Sequence, residues 1–403
     1  VLYISGTRAD YGPARRVLQA IRADEELSLS LLVTGMHLDP THGETWREIA
    51  DDGFEIAERI TGRVAGDSLS AMSASIGLYL HGMSEAVARF QPDIVLVLGD
   101  RGEQLAGAMA AAFQNKVVVH LCGGSLSGSI DDSIRHAITK FAHYHLPAFS
   151  EHAQRIVQMG EDTATVRVVG LPGGDLRPDV IFTREEICDA YGLPLAQPYL
   201  LVVQHAVTQS QGAAAEQIVE TLEAIAATKY PALLANPNDD AGGRAILNAM
   251  REYASRYPQL QTLEPPRSRE RFASIMAHAG ALIGNSSSGI VEAMSVALPV
   301  VNIGDRQRGR EHLACLLNVN YDRDEIYNAI ETALDSGIYR GRLKEFAERA
   351  AQLDTAALVV DCLKQLDLSA ASRPKIFRDL PIEGHPQRTQ RDTKESKDKA
   401  WKP

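Results

Sequence analysis

The sequence predicts an α/β protein built of two doubly wound units in tandem, with a cleft between them. Three observations predict it. Short apolar runs rich in β-branched residues alternate with longer helical stretches from the first residue onward. The alternation pauses at the turn-rich LPGGD (171–175) and then begins again. A chain of 403 residues is also too long for one ordinary hydrophobic core, so two domains are its natural division.

The first series of strands comprises VLYIS (1–5), LSLLVTG (29–35), DIVLVLG (93–99), VVVHL (117–121) and VRVVG (166–170), each continuous enough to be buried on both faces. Helical stretches such as PARRVLQAIRA, EQLAGAMAAAF and DDSIRHAITKFA separate them. The second series comprises PYLLVVQ (198–204), YPALLANP (230–237), ALIGNSS (281–287) and PVVNIG (299–304). Domain limits of 1–172 and 173–368 follow, and the polar, Pro- and Lys-rich remainder, 369–403, reads as a flexible tail.

Hydrophobic residues make up 45% of the chain and charged residues 23%, the balance of a soluble globular protein. No apolar run approaches the roughly 20 residues that span a bilayer, and the amino end opens on a strand instead of a basic leader. A net charge of −11 without a long basic run argues against nucleic acid as a partner. It does not argue against phosphate, which needs only a local cluster of Arg and oriented N–H groups. Cys122, Cys188, Cys315 and Cys362 are scattered, so neither zinc nor a disulfide framework is indicated and a cytoplasmic location is expected.

In doubly wound sheets ligands gather outside the carboxyl ends of the strands. The loop GTRADYG (6–12) follows the first run and leads into a helix expected near Pro13. Arg8 there can grip a phosphate with its fork, or stand exposed on a tight turn. In the second unit GNSSSG (284–289) opens the helical IVEAMSVA, so Ser286, Ser287, Ser288 and Gly289 would aim hydroxyls and free N–H groups at an anion; serine caps a helix equally well. The next run ends in DRQRGRE (305–311), which adds Arg306 and Arg310, and the two loops together favour a diphosphate site. Glu292 suits ribose hydroxyls or plain solvent.

Proton carriers are sought in the same places. GDR (99–101) supplies Asp100 and Arg101, and SGSIDDSIRH (127–136) supplies Asp131, Asp132 and Arg135. Carboxylates just past strand ends suit a general acid or base facing a cleft, though Asp also caps helices. His205 closes the run ending QH (204–205), as a proton carrier or simply a hydrogen-bonded side chain. No metal-ligand spacing is present, and no cofactor is expected.

The motifs TRADYG (7–12), GDR (99–101), SGSIDDSIRHAITK (127–140), QH (204–205), PNDDAG (237–242), IGNSSSG (283–289) and NIGDRQRGRE (302–311), in this order, resemble the hydrolysing UDP-N-acetylglucosamine 2-epimerases, including the epimerase domain of the bifunctional enzymes of sialic acid synthesis. The resemblance implies two Rossmann-like domains with a central cleft, the glycosyltransferase B type. It also implies conversion of UDP-N-acetylglucosamine and water to N-acetylmannosamine and UDP, and a homo-oligomer. Its nucleotide contacts match Arg8, Ser286, Ser287, Glu292 and Arg306, and its acid-base positions match Asp100, Asp131, Asp132 and His205.

One departure stands out. Where the family resembled has a HIEGGE-like segment with a catalytic Glu, this chain reads HLCGGS (120–125), so Cys122 and Ser125 replace two carboxylates. An unperturbed thiol is mostly neutral at pH 7 and is no equivalent base. Cys122 is therefore either a small filler at a strand end or, with less support, a reactive thiolate. The substitution favours a rival reading, a nucleotide-sugar enzyme with an altered substrate or without epimerisation; a nucleotide-sugar binding protein without turnover, and a glycosyltransferase, which the fold would suit, are two more.

Overall fold

The computed structural model describes residues 1–379 except 67, 175, 208–211, 239, 264–267, 291, 311–315, 336–340, 342, 345–352 and 374. Asp239, Glu311, Cys315 and the tail from 380 onward lie outside the described residues.

Among those residues, the first sheet contains β1 (Leu2–Ser5), β2 (Ser30–Thr34), β3 (Ile56–Ile60), β4 (Ile94–Leu98), β5 (Val117–Leu121) and β6 (Tyr144–Leu146), in the order β3-β2-β1-β4-β5-β6. The second contains β7 (Leu200–Val203), β8 (Ala232–Ala235), β9 (Leu260–Leu263), β10 (Ala281–Gly284), β11 (Val300–Ile303) and β12 (Leu317–Val319), in the order β12-β11-β10-β7-β8-β9. Every pairing is parallel, and the second order repeats the first. Parallel neighbours need crossovers, and the crossover helices cover both faces of each sheet. Central strands are accordingly buried throughout, as in β4 and β5. Two apolar clusters per sheet form the cores.

The strand order reverses between β1 and β4 in one sheet and between β7 and β10 in the other, which opens a crevice at each switch point. Arg8 follows β1 and Asp100 follows β4, while His205 follows β7 and Ser286 follows β10.

Four strands were not expected from the sequence: β3, β6, β9 and β12. All are sheet edges, where pairing is one-sided and burial partial, so their residues (IAERI, YHL, LQTL and LNV) lack the continuous apolar signal. The expected strand 166–170 is a single bridge, Val166 to His145, with Val168 38% exposed. The first helix starts at Arg8 instead of near Pro13, because Thr7 and Asp10 form a capping box that begins it earlier. The expected helix after the serine cluster is a 3-10 turn, Ser287–Gly289, followed by one short helical turn, Glu292–Ser295.

The carboxyl end also departs from expectation. The helix Thr355–Lys364, within the stretch assigned to the second unit, packs on the helix Arg8–Ala23 and contributes Val359, Val360, Cys362 and Leu363 to the core of the first unit. Its apolar face finds complementary surface there. The described residues of 369–379 are no free tail: Lys375 Nζ donates to the carbonyls of Thr139 (2.8 Å), Lys140 (3.0 Å) and Ala142 (2.5 Å), capping the carboxyl end of the helix Ile130–Phe141. Beside it the buried Glu161 receives Lys375 (2.7 Å), Lys140 (2.6 Å) and His145 (3.2 Å). Burial pushes the Glu161 carboxyl up, but these three donors overrule it and hold it at about 2.

Charged pairs and backbone contacts join the two units. Arg15 pairs with Glu270, Arg16 with Asp179 (3.1 Å), and the Arg269 N–H donates to Glu48 (2.9 Å). The Gly128 N–H donates to the Arg306 carbonyl (3.0 Å). A Cβ at Gly128 would stand 2.0 Å from the Asp305 carbonyl oxygen, so only glycine lets these loops touch.

Two outcomes follow. Glu161→Gln should lower stability to denaturant at pH 7 by about 3 kcal/mol, since it removes the buried anion that Lys375, Lys140 and His145 share. With the folded carboxyl below its ordinary 4.5, its contribution is present above that pH and fades as pH falls towards 2; a wild-type acid slope no steeper than the variant's would contradict this. Gly128→Ala should wedge the units apart, raising the radius of gyration in small-angle scattering while leaving each sheet folded. An unchanged radius would show that the contact does not hold the cleft.

Candidate active site

The loops at the two switch points face each other across one cleft of about 610 Å³. From the first unit it is lined by Arg8, Asp100, Arg101, Cys122, Asp131 and Arg135; from the second by His205, Ser286, Ser287, Ser288, Glu292, Arg306 and Arg310. Most residues singled out in the sequence thus converge. Two do not. Gly289 does not line the cleft: a Cβ there would meet Val300 at 2.9 Å, so it serves packing against β11. Asp132 is turned away, accepting from the Ser127 N–H (2.8 Å) and pairing with Arg135 (3.1 Å), which makes it a structural member of its helix start.

Local bonding fixes each loop. His120 Nε2 donates to the Gly99 carbonyl (2.8 Å) and so pins the turn that presents Asp100; burial lowers this imidazole to about 3 and keeps it neutral. Asn285 ties the loops after β7 and β10 together, its Oδ1 accepting from the His205 N–H (2.8 Å) and its Nδ2 donating to the His205 carbonyl (2.9 Å). Gly284 sits at φ 139°, where a Cβ would be 2.2 Å from the Val203 carbonyl oxygen, so β10 can approach β7 only with glycine there.

The charges alternate. Asp100 is paired with Arg135, at a very short contact, and lies 3.6 Å from Arg310. Burial would push Asp100 up, but the two guanidiniums hold it at about 2, firmly ionised. Asp131 lies 3.3 Å from Arg306, and burial followed by repulsion from Asp100 raises its carboxyl above the usual range. Arg310, by contrast, is lowered to about 10 by burial and by its neighbour Arg135.

His205 accepts the Asn238 N–H at Nδ1 (3.0 Å), so the ring proton of its neutral form sits on Nε2. Burial and then Arg306 lower it to about 3, which keeps it neutral through physiological pH. Cys122 occupies the left-handed region (φ 61°) at the end of β5, and burial, then Asp100, pushes its thiol up to about 12. Both effects disfavour a thiolate there. Where the resemblance would put a carboxylate, the cleft holds a small neutral group.

Sequence reasoning missed three participants. Asp240 pairs with Arg101 (3.0 Å) and stands 3.8 Å from Arg306; burial opposes ionisation, but these two cations keep its carboxyl below the usual range. Its position just past β8 in PNDDAG was the available signal. Glu48 receives Arg8 Nε (2.9 Å), and Arg269 Nη1 donates to Glu292 (3.0 Å). Neither Glu48 nor Arg269 lies at the end of an apolar run, so no pattern marked them. Among the described residues, no group of three or more His, Cys, Asp or Glu side chains is placed to hold a metal ion, and no helix is long and apolar enough to cross a membrane.

Comparison with known proteins agrees with this architecture. The UDP-N-acetylglucosamine 2-epimerase family matches residues 19–362. The chain is 39% identical over 345 residues to the hydrolysing UDP-N,N'-diacetylbacillosamine 2-epimerase of Legionella pneumophila, spanning 85% of this chain and 90% of that protein. It is 32% identical over 342 residues to a UDP-N-acetylglucosamine 2-epimerase of Neisseria meningitidis, spanning 84% and 88%. In fold it is similar to a crystal structure of UDP-GlcNAc 2-epimerase from Neisseria meningitidis bound to UDP-GlcNAc, with a TM-score of 0.78 at 15% identity over 91% of this chain and 99% of that one. With the family matched over most of its length and relatives above 30% identity across more than two thirds of it, the chain belongs to the UDP-N-acetylglucosamine 2-epimerase family.

Proposed function

We propose that the protein is a hydrolysing 2-epimerase that takes UDP-N-acetylglucosamine and water to N-acetylmannosamine and UDP. The observation that carries this reading is the single cleft in which anion-binding groups of the second unit (Arg306 and Ser286 to Ser288) oppose the carboxylates Asp100 and Asp131 of the first. The hydrogen on C2 of a pyranose has no adjacent carbonyl and is barely acidic. Departure of UDP with the C1–O electron pair builds positive charge at C1 and makes that hydrogen removable.

Leaving-group stabilisation comes first. Arg8 and Arg306 suit the diphosphate as its charge grows, and Glu292 suits the ribose once Arg269 gives it up. Asp100, ionised at neutral pH, suits stabilisation of the cationic centre or abstraction of the C2 proton. The product of that elimination is a glycal. Water then adds its oxygen at C1, and C2 takes a proton on the opposite face. Asp131 and the Nε2–H of His205 are the proton donors available in the cleft.

Cys122 favours a second reading within the same chemistry. Cys122 offers a thiol where the resemblance implies a carboxylate, and Ala148 and Phe149 add apolar lining to the same cleft, which suits a less hydroxylated sugar. UDP-N,N'-diacetylbacillosamine, named for the Legionella relative, is such a substrate. Among the described residues Cys122, Cys188 and Cys362 are free thiols, which suits a reducing, cytoplasmic setting.

Incubation with each of the two nucleotide sugars in D₂O, followed by NMR, tests both readings. The expected result is free UDP together with a manno-configured sugar carrying deuterium at C2. Release of UDP with an unlabelled gluco-configured sugar would replace epimerisation by hydrolysis. UDP binding without turnover of either compound would favour a binding protein. Turnover only of the diacetamido sugar would select the second reading, and Cys122→Glu should then shift preference towards UDP-N-acetylglucosamine by about tenfold or more, the scale of one gained or lost charge-assisted hydrogen bond.

A further inference from the structure

Arg306 and Asp131 come from opposite units, and the site reading gives them different tasks, one on the diphosphate and one on a proton. Here they are bound to each other. Arg306 is 7% exposed, its Nη2 lies 3.3 Å from Asp131 Oδ2, and its Nη1 donates to the Asn285 carbonyl at 3.3 Å. Its Nε is buried without a hydrogen-bond partner. The Nε–Nη2 edge, the edge a guanidinium uses to grip two anionic oxygens, is thus half empty and half held by Asp131. A diphosphate taking that edge meets a carboxylate already on it, and two anions cannot share it without a proton.

We infer that nucleotide binding at Arg306 displaces Asp131 from its cation and makes it take up a proton, so that the diphosphate itself arms the acid. This rests on the nucleotide-site reading above. Among the described residues, each other cation near Asp131 is paired with a different carboxylate. From its own helix, Arg135 is engaged by Asp100 and Asp132, while Ser129 Oγ donates to Asp131 at 2.9 Å. From the loop after β4, Asp100 repels it, while Arg101 favours the carboxylate but pairs directly with Asp240 at 3.0 Å. From the second unit, Asp240 also repels it, and Arg310 is turned to Asp100 at 3.6 Å.

Once Arg306 turns to phosphate, burial and Asp100 act on Asp131 with less opposition, and the incoming diphosphate adds negative charge of its own. The carboxylate then takes one proton from solvent and becomes a carboxylic acid; no bond of the nucleotide breaks in this step. The free protein thereby keeps Asp131 ionised as part of the contact between units, and the complex presents it as a proton donor only when a substrate is there to use it. Asp132, held by the Ser127 N–H and Arg135 outside the cleft, has no part in the exchange.

The test is calorimetric titration with UDP, at several pH values from 6.5 to 8.5, in buffers of different ionisation enthalpy. Wild type, Asp131→Asn and Asp132→Asn are compared. UDP's own terminal phosphate contributes equally to all three, so the difference isolates the protein. Wild type should take up about half to one proton more per site than Asp131→Asn, and Asp132→Asn should behave as wild type. Proton uptake also requires that wild-type affinity fall with rising pH, by up to about tenfold per unit more than in Asp131→Asn, an independent readout. Equal uptake and parallel pH dependence in wild type and Asp131→Asn would overturn the inference while leaving the nucleotide site intact. Failure of the wild type to bind UDP would instead overturn the nucleotide-site reading, and this inference with it.

Discussion

Opposite charges that reach across the cleft are the interaction on which the rest of this molecule depends. Asp131 of the first unit is paired with Arg306 of the second, and Asp240 of the second with Arg101 of the first. Each is largely buried, and a buried charge without a partner is far more costly than one with a partner. Neither unit can therefore present its half of the site in this form alone. The contact of Gly128 with the Asp305–Arg306 backbone sets how closely the halves approach, and the switch points of the two sheets determine which loops take part.

This arrangement explains how Asp100, Asp240 and Asp131, so close together, differ in protonation tendency. Asp100 and Asp240 each face two guanidiniums and stay ionised despite burial. Asp131 has one direct cation and a repelling neighbour, and its carboxyl is raised. Asp132 is bound into a helix start and lies outside the cleft. Pairs of like groups pushed apart by their surroundings are what acid-base chemistry at one pH requires. The neutral thiol of Cys122 fits the same frame: a further carboxylate there would have competed with Asp100 for Arg135 and Arg310.

The helix Ile130–Phe141 links the site to the far end of the chain. Its amino end carries Asp131, and its carboxyl end is capped by Lys375, which arrives after the chain has returned from the second unit to pack on the first. The buried Glu161 anchors that lysine together with Lys140 and His145. The element that positions Asp131 is thus held at both ends by residues distant in sequence.

Much of this was legible in the sequence. The α/β alternation and its restart at 171–175 identified two doubly wound units, because parallel strands buried on both faces must be continuous apolar runs. The loops carrying Arg8, Asp100, Asp131, His205, Ser286 and Arg306 could be picked out because ligand chemistry belongs at strand ends. Edge strands such as β3 and β12 could not, since half-paired strands need no such run. Nor could Glu48, Arg269 or Asp240 be assigned partners, or Asp131 be separated from Asp132, because one step along a helix start reads alike in sequence and turns the side chain to a different face. Residue order determines which groups reach the ends of the strands. Only tertiary packing, by bringing two sheets face to face and burying their charges together, decided which of those groups pair and which can carry a proton.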